Sequence, residues 1–560
     1  MKMLKHIIAL TKKTTIIHDK YVPVVVTLLY AICHLLMAIV HEPWFDEAEA
    51  WQIARSASLQ TLLTEVPHYE GHPPLWHLIL MPFAKAGASY ELSLTLISLF
   101  FTGTAVYLIL RFAPFPNWVR VMIPFTYFFF YQYSVVSRVY CVLMLEFVLL
   151  AMAYKYRNTK PIWYTGIMML MCTTHAYGIV LAGGICIVWL GEIWRENSQQ
   201  GCRRQSLIRD RRIWCLAGLL VIAIMVILQI MPRVNTTAIN SVVGVEKVRN
   251  PYLLRFFYML LILPADVTMT NVFSDDGLLS MTQLTPLSMA SGCIVGMIIW
   301  ILISTYGRKK QTLCLLMVPY LLFAVFASIV YFALHHMGIG LLFLVFWLWI
   351  SAEAPDNSIR EKKSVIDLYF VKVAQGTVVL SLCVSMSWTI SACVLDVIKD
   401  YSPGRSMANF IEENQLDQYR IMASWNVEKE ENGDIISTDV NYCDGVVEIA
   451  PYFDRNIAYN FNYGRNDRNY VTHIQADDEE NAHAYEAWKA EGYPDVLLMQ
   501  PELGQLYDAE ELSMKDFALV YCKQDERVWK NLSEYHVNYI YVRKDLLPKT
   551  GVEQIKVPCL

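Results

Sequence analysis

Tyr21–Val40 reads YVPVVVTLLYAICHLLMAIV and leads directly into His41-Glu42-Pro43-Trp44-Phe45-Asp46-Glu47-Ala48-Glu49-Ala50-Trp51. The first stretch is apolar apart from Thr27 and His34 and carries no Asp, Glu, Lys or Arg. Its length matches a helix crossing the ~30 Å hydrocarbon core of a bilayer. The second stretch places three carboxylates, Asp46, Glu47 and Glu49, just beyond the point where that helix must end. Lys2, Lys5, Lys12, Lys13 and Lys20 precede the apolar run, and no convincing small-residue cleavage site follows it. The start therefore reads as an uncleaved first membrane helix with its N-terminus in the cytoplasm.

Apolar runs of membrane-helix length recur from Tyr21 to Val394, and the chain then turns polar. Residues 400–560 carry 15 Lys/Arg against 30 Asp/Glu, whereas the whole chain carries 46 against 51. The near-neutral total thus hides two parts of opposite sign. We expect a polytopic α-helical membrane domain over residues 1–398, with a first outer loop at 41–91. A soluble α/β domain over 399–560 is expected to follow. Neither part suggests nucleic acid as a partner. Strand-like runs occur at Tyr419–Ser424, Gly445–Ile449, Asp495–Met499, Phe517–Tyr521 and Tyr539–Val542, with helical stretches at Ser406–Asn414 and Glu479–Ala490. No C-x-x-C spacing occurs among the 13 cysteines. Cys443 and Cys522 are either a disulfide pair or separate thiols.

Basic residues gather in short loops at Arg111–Arg120, Lys155–Lys160, Arg195–Arg212, Arg308–Lys310 and Arg360–Lys363. The positive-inside rule assigns all of them to the cytoplasm, so an even number of crossings must separate each pair. Turns near Arg138, His175 and His335-His336 then face outward, and the count comes to about eleven helices. The polar stretch Arg233–Pro286 is expected outside. So is the 399–560 domain, as the overhang of an integral membrane protein of the cell membrane.

Within the 41–91 loop, Trp51, Ala54, Leu59 and Leu62 are spaced as the apolar stripe of a surface helix over Ala48–Leu63. His72-Pro73-Pro74-Leu75-Trp76 then opens an apolar run ending at Ala88, which parity keeps at the outer interface. On the residues alone, Asp46, Glu47 and Glu49 are either the charged first turn of that helix or a general base held at the membrane surface. Arg138 either clamps a phosphate or snorkels to headgroups. His68, His72, His77, His175, His335 and His336 all fall on the outer side. They either bind a phosphate, hold a divalent cation with Glu47, or do neither.

Phe45-Asp46-Glu47-Ala48, followed about 25 residues later by His72-Pro73-Pro74-Leu75, resembles the first outer loop of the GT-C glycosyltransferases. The likeness is greatest to the branch holding the protein O-mannosyltransferases and the lipid A aminoarabinose transferase. Ser137-Arg138-Val139-Tyr140 is similar to that branch's Arg/Tyr outer turn. Thr174-His175-Ala176-Tyr177-Gly178 and His335-His336-Met337-Gly338 are similar to its later outer turns. The resemblance covers roughly the first 350 residues. It implies a GT-C fold and inverting transfer of a sugar from a polyprenyl-phosphate donor to an acceptor hydroxyl. Asp46 would be the base with Glu47 beside it. Arg138, Tyr140, His175 and His336 would meet the donor phosphate, and His72 and His335 the substrate. A divalent metal remains an open cofactor, since some GT-C enzymes need one and others do not.

The 399–560 domain does not resemble the β-trefoil inserts of the mannosyltransferases, which leaves a glycan, a lipid or a protein as acceptor. We expect it to shape acceptor choice and to hold no group that does the chemistry. Pro451-Tyr452-Phe453-Asp454-Arg455 is either a carbohydrate-facing patch or ordinary turn residues. The competing class is a transporter or flippase of lipid-linked sugars. Internal repeats and polar groups near the bilayer midplane would mark it, but no repeat is apparent and the polar groups gather at outer turns.

Overall fold

The computed structural model describes residues 21–199, 209–233, 252–272, 285–330, 332–355, 365–423, 425–429, 435–440, 444–455, 457, 490, 494–499 and 516–555. Among them, seven helices are long and apolar enough to cross a membrane: Val22–Val40, Tyr90–Phe112, Ala176–Ser198, Arg211–Ile230, Pro286–Lys310, Leu334–Glu353 and Tyr369–Ile398. Tyr140–Tyr154 and Leu313–Ile329 are shorter apolar helices. The chain is a polytopic helical protein with a small C-terminal sheet.

The segment before Arg138 is not a plain helix. Asn117–Met122 is α-helical, Ile123–Phe125 tightens into a 3-10 turn at Pro124, and Phe128–Val135 widens into a π-helix with every residue buried. Such irregular backbone inside an apolar bundle needs side-chain partners. Neighbouring helices supply them. Tyr30 donates to the Phe129 carbonyl (2.8 Å), Ser98 to that of Ser134 (2.6 Å) and Thr389 to that of Phe125 (2.9 Å). The broken helix thereby delivers Ser137 and Arg138 to one end of the bundle at a fixed height.

The loops segregate into two ends. At one, Arg157 pairs with Glu192 (2.9 Å), Arg212 pairs with Glu196 (2.6 Å), and Lys310 donates to the Ala354 carbonyl (3.0 Å). At the other, the turns at Arg138, His175 and His335-His336 converge on the 41–91 loop. Two glycines permit that convergence. A Cβ on Gly178 would lie 2.2 Å from the Met171 carbonyl oxygen, and one on Gly338 would lie 2.4 Å from the Phe128 ring. Neither site has room for a side chain.

Three local expectations are corrected. The surface helix ends at Ser56 rather than continuing to Leu63, because Ala57 is extended and Ser58 caps a new short helix, Leu59–Thr64. Leu62 is buried there, but Leu59 is exposed. In the stretch expected to be a polar outer loop, Tyr252–Asp266 forms a broken helix whose Tyr258, Met259, Ile262 and Leu263 join the main core. Gly445–Ile449 lies in a helix, Asp444–Ile449, and not in a strand. A five-residue apolar run cannot distinguish the two by periodicity.

The C-terminal strands are β1 (Ile421–Ala423), β2 (Trp425–Lys429), β3 (Ile435–Val440), β4 (Val496–Met499), β5 (Phe517–Trp529) and β6 (Leu532–Arg543). The main sheet has the order β1-β4-β6-β5, with β1 parallel to β4 and the other pairs antiparallel, while β2 and β3 form a separate hairpin. Cys443 and nearly all of the helical stretch Glu479–Ala490 lie outside the described residues. The sheet does not pack alone. Ile411, Leu497 and Ile540 share one hydrophobic core with Trp51, Trp76 and Leu94 of the first outer loop and the helix after it. Arg55 donates to the Phe453 carbonyl (2.6 Å), and Tyr452 donates to Glu91 (2.5 Å), so the Pro451–Arg455 patch is a docking turn for that loop.

Candidate active site

The Phe45–Ser56 helix opens the site. Its first turn carries Asp46 and Glu47, which also suits the helix dipole. The two carboxylates have different partners. Glu47 is buried, and its Oε1 accepts from the Ser137 amide (2.6 Å) while its Oε2 accepts from the Trp44 amide (3.2 Å). Both oxygens are thus used in bracing the Arg138 turn against the helix start. Asp46 remains partly exposed and forms an ion pair with Arg138. The Arg138 guanidinium also lies 5.8 Å from the Trp44 ring centre and 5.4 Å from that of Tyr140.

A third carboxylate, unnoticed in the sequence, completes this cluster. Glu70 ends a short helix, Val66–Glu70, and the left-handed Gly71 that follows turns the chain toward His72. Its Oε1 is enclosed and meets no hydrogen-bond partner among the described residues. Burial first, then the charges of Glu49 and Asp46, push the Glu70 carboxyl well above the usual carboxylate range, against the pull of Arg138. Burial and the neighbouring carboxyls therefore favour the protonated form of Glu70. Only the tertiary fold brings position 70 to position 46.

Four histidines assemble on the other side of Tyr140, whose ring lies 5.5 Å from His175 and 6.1 Å from His336. The His72 and His175 rings are 4.7 Å apart, and those of His335 and His336 are 4.3 Å apart. His68 is spent on the Met231 carbonyl (2.7 Å), and His77 is buried in its own helix. Among the described residues, His72, His175 and His336 bring one ring nitrogen each within 4.8 Å of one another, close enough to share a metal ion.

Their hydrogen bonds argue against a metal. The Tyr177 amide donates to His175 Nδ1 (3.2 Å), and the Ala333 amide donates to His336 Nδ1 (3.0 Å). A neutral ring that accepts at Nδ1 carries its proton on Nε2. Metal-binding histidines show the reverse pattern, donating from the nitrogen that does not bind the ion. Both rings therefore present Nε2–H donors. The enclosed Nε2 of His175 meets no partner among the described residues. With Arg138 nearby, donors of this kind suit an oxyanion rather than a cation.

A second buried network fixes the loop to the last membrane helix. His41 contacts Asp396 through Nδ1 (2.9 Å) and Glu47 through Nε2 (3.7 Å), and Tyr131 donates to the same Asp396 oxygen (3.0 Å). Burial alone would hold His41 neutral. Its two carboxylate partners outweigh burial and raise it to about 10. The proton is thus bound more tightly in the folded state than in the unfolded chain. This contribution is complete below the unfolded pKa of about 6.5 and is lost as pH rises toward 10. Thermal unfolding at pH 6.5, 8 and 10 should show the wild-type advantage over His41→Asn shrinking with each step, by a few kcal/mol in all. A pH-independent difference between the two proteins would contradict a charged His41.

The structure therefore brings Asp46, Arg138, Tyr140, His72, His175, His335 and His336 to one end of the bundle and gives Glu47 a bracing position. Sequence reasoning missed Glu70, Asp396 and two C-terminal side chains. Glu448 accepts from the Phe45 amide (3.0 Å) at the start of the Asp46 helix, and the Arg527 guanidinium lies 5.2 Å from the Trp44 ring centre. These contacts set C-terminal side chains against the start of the helix that carries Asp46. No family model matches the chain, and no curated protein matches its sequence.

Proposed function

We propose that the chain is a membrane glycosyltransferase of GT-C type that moves a sugar from a polyprenyl-phosphate donor to an acceptor hydroxyl on the outer side of the membrane. The observation that carries this reading is the Asp46–Arg138 pair beside two histidines whose Nδ1 atoms accept backbone N–H groups, which leaves Nε2 as the donor side. A base, a guanidinium and a set of N–H donors meet at one turn cluster. Inverting transfer from a lipid phosphate needs a base for the acceptor and stabilisation of the departing phosphate, and this cluster supplies groups suited to both.

In the resting protein the Arg138 guanidinium is ion-paired with Asp46 and occupies its carboxylate. An arriving donor phosphate competes for Arg138 and draws it toward Tyr140, His175 and His336, which releases Asp46. Asp46 then takes the proton of the acceptor hydroxyl as that oxygen attacks the anomeric carbon. The bond from the anomeric carbon to the phosphate oxygen breaks with inversion, and its electron pair remains on the departing polyprenyl phosphate. Arg138 and the histidine N–H groups stabilise that growing charge. His72 and His335, on the same cluster, contact the substrate beside it.

The seven long helices, the two shorter ones, Pro161–Thr174 and the broken Asn117–Val135 segment together support eleven crossings. The turn cluster is then extracytoplasmic and the Arg157–Glu192 end cytoplasmic. Gln60 and Thr159 lie on exposed stretches at opposite ends. In intact cells, an impermeant thiol reagent should label Gln60→Cys readily and Thr159→Cys only after permeabilisation. The opposite pattern would reverse the topology and remove the site from the outer face.

The deciding experiment for function is mass spectrometry of lipid-linked sugars and envelope glycans from cells with and without the gene. Accumulation of one carrier-linked sugar together with loss of one glycan modification is expected. Unchanged pools of both would overturn the reading.

A further inference from the structure

The β5–β6 hairpin of the C-terminal domain is driven into the outer end of the bundle. Its turn residue Lys530 has a left-handed backbone (φ 56°) and is fully buried. Its Nζ donates to the carbonyls of Asp266 (2.7 Å) and Thr270 (3.0 Å) and lies 4.4 Å from the Trp388 ring centre. Trp529 packs edge-on against Tyr127 (5.6 Å) and Phe128 (5.9 Å) within the main bundle core. This anchoring holds Arg527 in place, and Glu448, 3.7 Å from that guanidinium, steadies it from the sheet side.

Between the hairpin and the bundle lies a pocket lined by Trp44, Gln132, His335, Tyr401, Arg527 and Trp529, among others. Its wall combines these three aromatic side chains with the hydrogen-bonding side chains of Gln132, His335, Arg527, Ser533 and Glu534. Aromatic faces pack against the C–H faces of a pyranose, and amide, imidazole and guanidinium groups pair with its hydroxyls. The position is as telling as the chemistry. Trp44 is two residues before Asp46 and lies under Arg138, and His335 adjoins His336. The pocket therefore borders both the base and the oxyanion donors.

We propose that this pocket is the subsite for the sugar being transferred, with Arg527 of the C-terminal hairpin as its specificity-determining residue. The proposal rests on the glycosyltransferase reading above. It assigns the two arginines separate tasks: Arg138 meets the carrier phosphate and Arg527 the sugar.

The test measures binding of full-length protein in detergent, by microscale thermophoresis, to bare undecaprenyl phosphate. The same measurement is made with four synthetic undecaprenyl-phospho-sugars: a neutral hexose, an N-acetylhexosamine, a uronic acid and an aminopentose. Wild type should bind at least one of the four about 10-fold more tightly than the bare carrier. Arg527→Gln should lose that advantage while binding the bare carrier within about two-fold of wild type. Arg138→Gln should show the converse, with weak binding of every probe. Retention of the sugar advantage in Arg527→Gln would overturn the pocket assignment alone, as would its absence for all four sugars in wild type. Failure of wild type to bind undecaprenyl phosphate at all would overturn the glycosyltransferase reading, and the pocket assignment with it. A melting temperature for Arg527→Gln matching wild type separates a lost sugar contact from a displaced hairpin, and Arg527→Lys should restore part of the advantage.

Discussion

Asp46→Asn is expected to reduce turnover by about 10²–10⁴-fold, the usual cost of removing a general base, while donor affinity holds or rises, since the phosphate no longer competes with a carboxylate for Arg138. The substitution keeps the shape of the side chain and removes its ability to take a proton. Asp46 is partly exposed, and its partner Arg138 is also held against Trp44 and Tyr140, so the turn should survive. Glu47→Gln provides the contrast. Glu47 accepts two backbone N–H bonds, and a Gln amide would turn a donor toward one of them. That change should cost about 1–3 kcal/mol of stability and disturb the Arg138 turn. The measurements are single-turnover transfer and thermal unfolding of both purified variants. Near-normal turnover by Asp46→Asn, or an unchanged melting temperature for Glu47→Gln, would reverse the roles given to the two carboxylates.

Much of the bundle was legible because membrane helices follow length and hydropathy, and loop charge adds a parity constraint. The turns at Arg138, His175 and His335-His336 emerged from that arithmetic, and the structure brings all three together. The broken helix at Phe128–Val135 was not legible. Its π geometry is supported by hydroxyls from Tyr30 and Ser98, and the turn before it by that of Thr389, all distant in sequence. Glu70 escaped for the same kind of reason. A lone Glu before Gly-His looks like loop solvation until the fold places it beside Asp46 and Glu49. The roles of Asp46 and Glu47 were equally hidden, because adjacent carboxylates are indistinguishable until their partners are known.

The C-terminal part was legible in its class, while the closeness of its attachment was not. Its strands alternate well enough to be recognised, and an α/β unit after the last helix is what the structure contains. Its acidic excess suggested a soluble domain after the membrane part, with charges facing an acceptor. Those charges are partly structural, however. Glu448 caps the Asp46 helix, Glu526 pairs with Lys399 (2.6 Å), and Asp400 pairs with Lys523. A domain that buries Ile411, Leu497 and Ile540 against Trp51 and Trp76 is unlike an overhang joined by a flexible linker. A chain ending at Lys399 would expose the apolar surface of the first outer loop on which Asp46 sits.

Arg138→Ala should lower kcat by about 10²–10³-fold, comparable to removing one oxyanion donor, and should weaken donor binding more than acceptor binding. Two separate consequences are expected. The phosphate loses the one guanidinium among the groups assigned to it, and the contact that strengthens as the leaving group gains charge disappears. The Glu70 carboxyl also loses the cation that favours its ionised form, so Glu70 should hold its proton to still higher pH. Arg138→Lys should recover only part of the rate, since an ammonium cannot reproduce the fork that spans phosphate oxygens and lies against both Trp44 and Tyr140. The measurements are kcat and KM for each substrate, and the pH profile of kcat, for all three proteins. Full recovery by lysine, or a defect confined to the acceptor KM, would assign the phosphate to the histidine cluster and leave Arg138 as the counter-ion of the carboxyls.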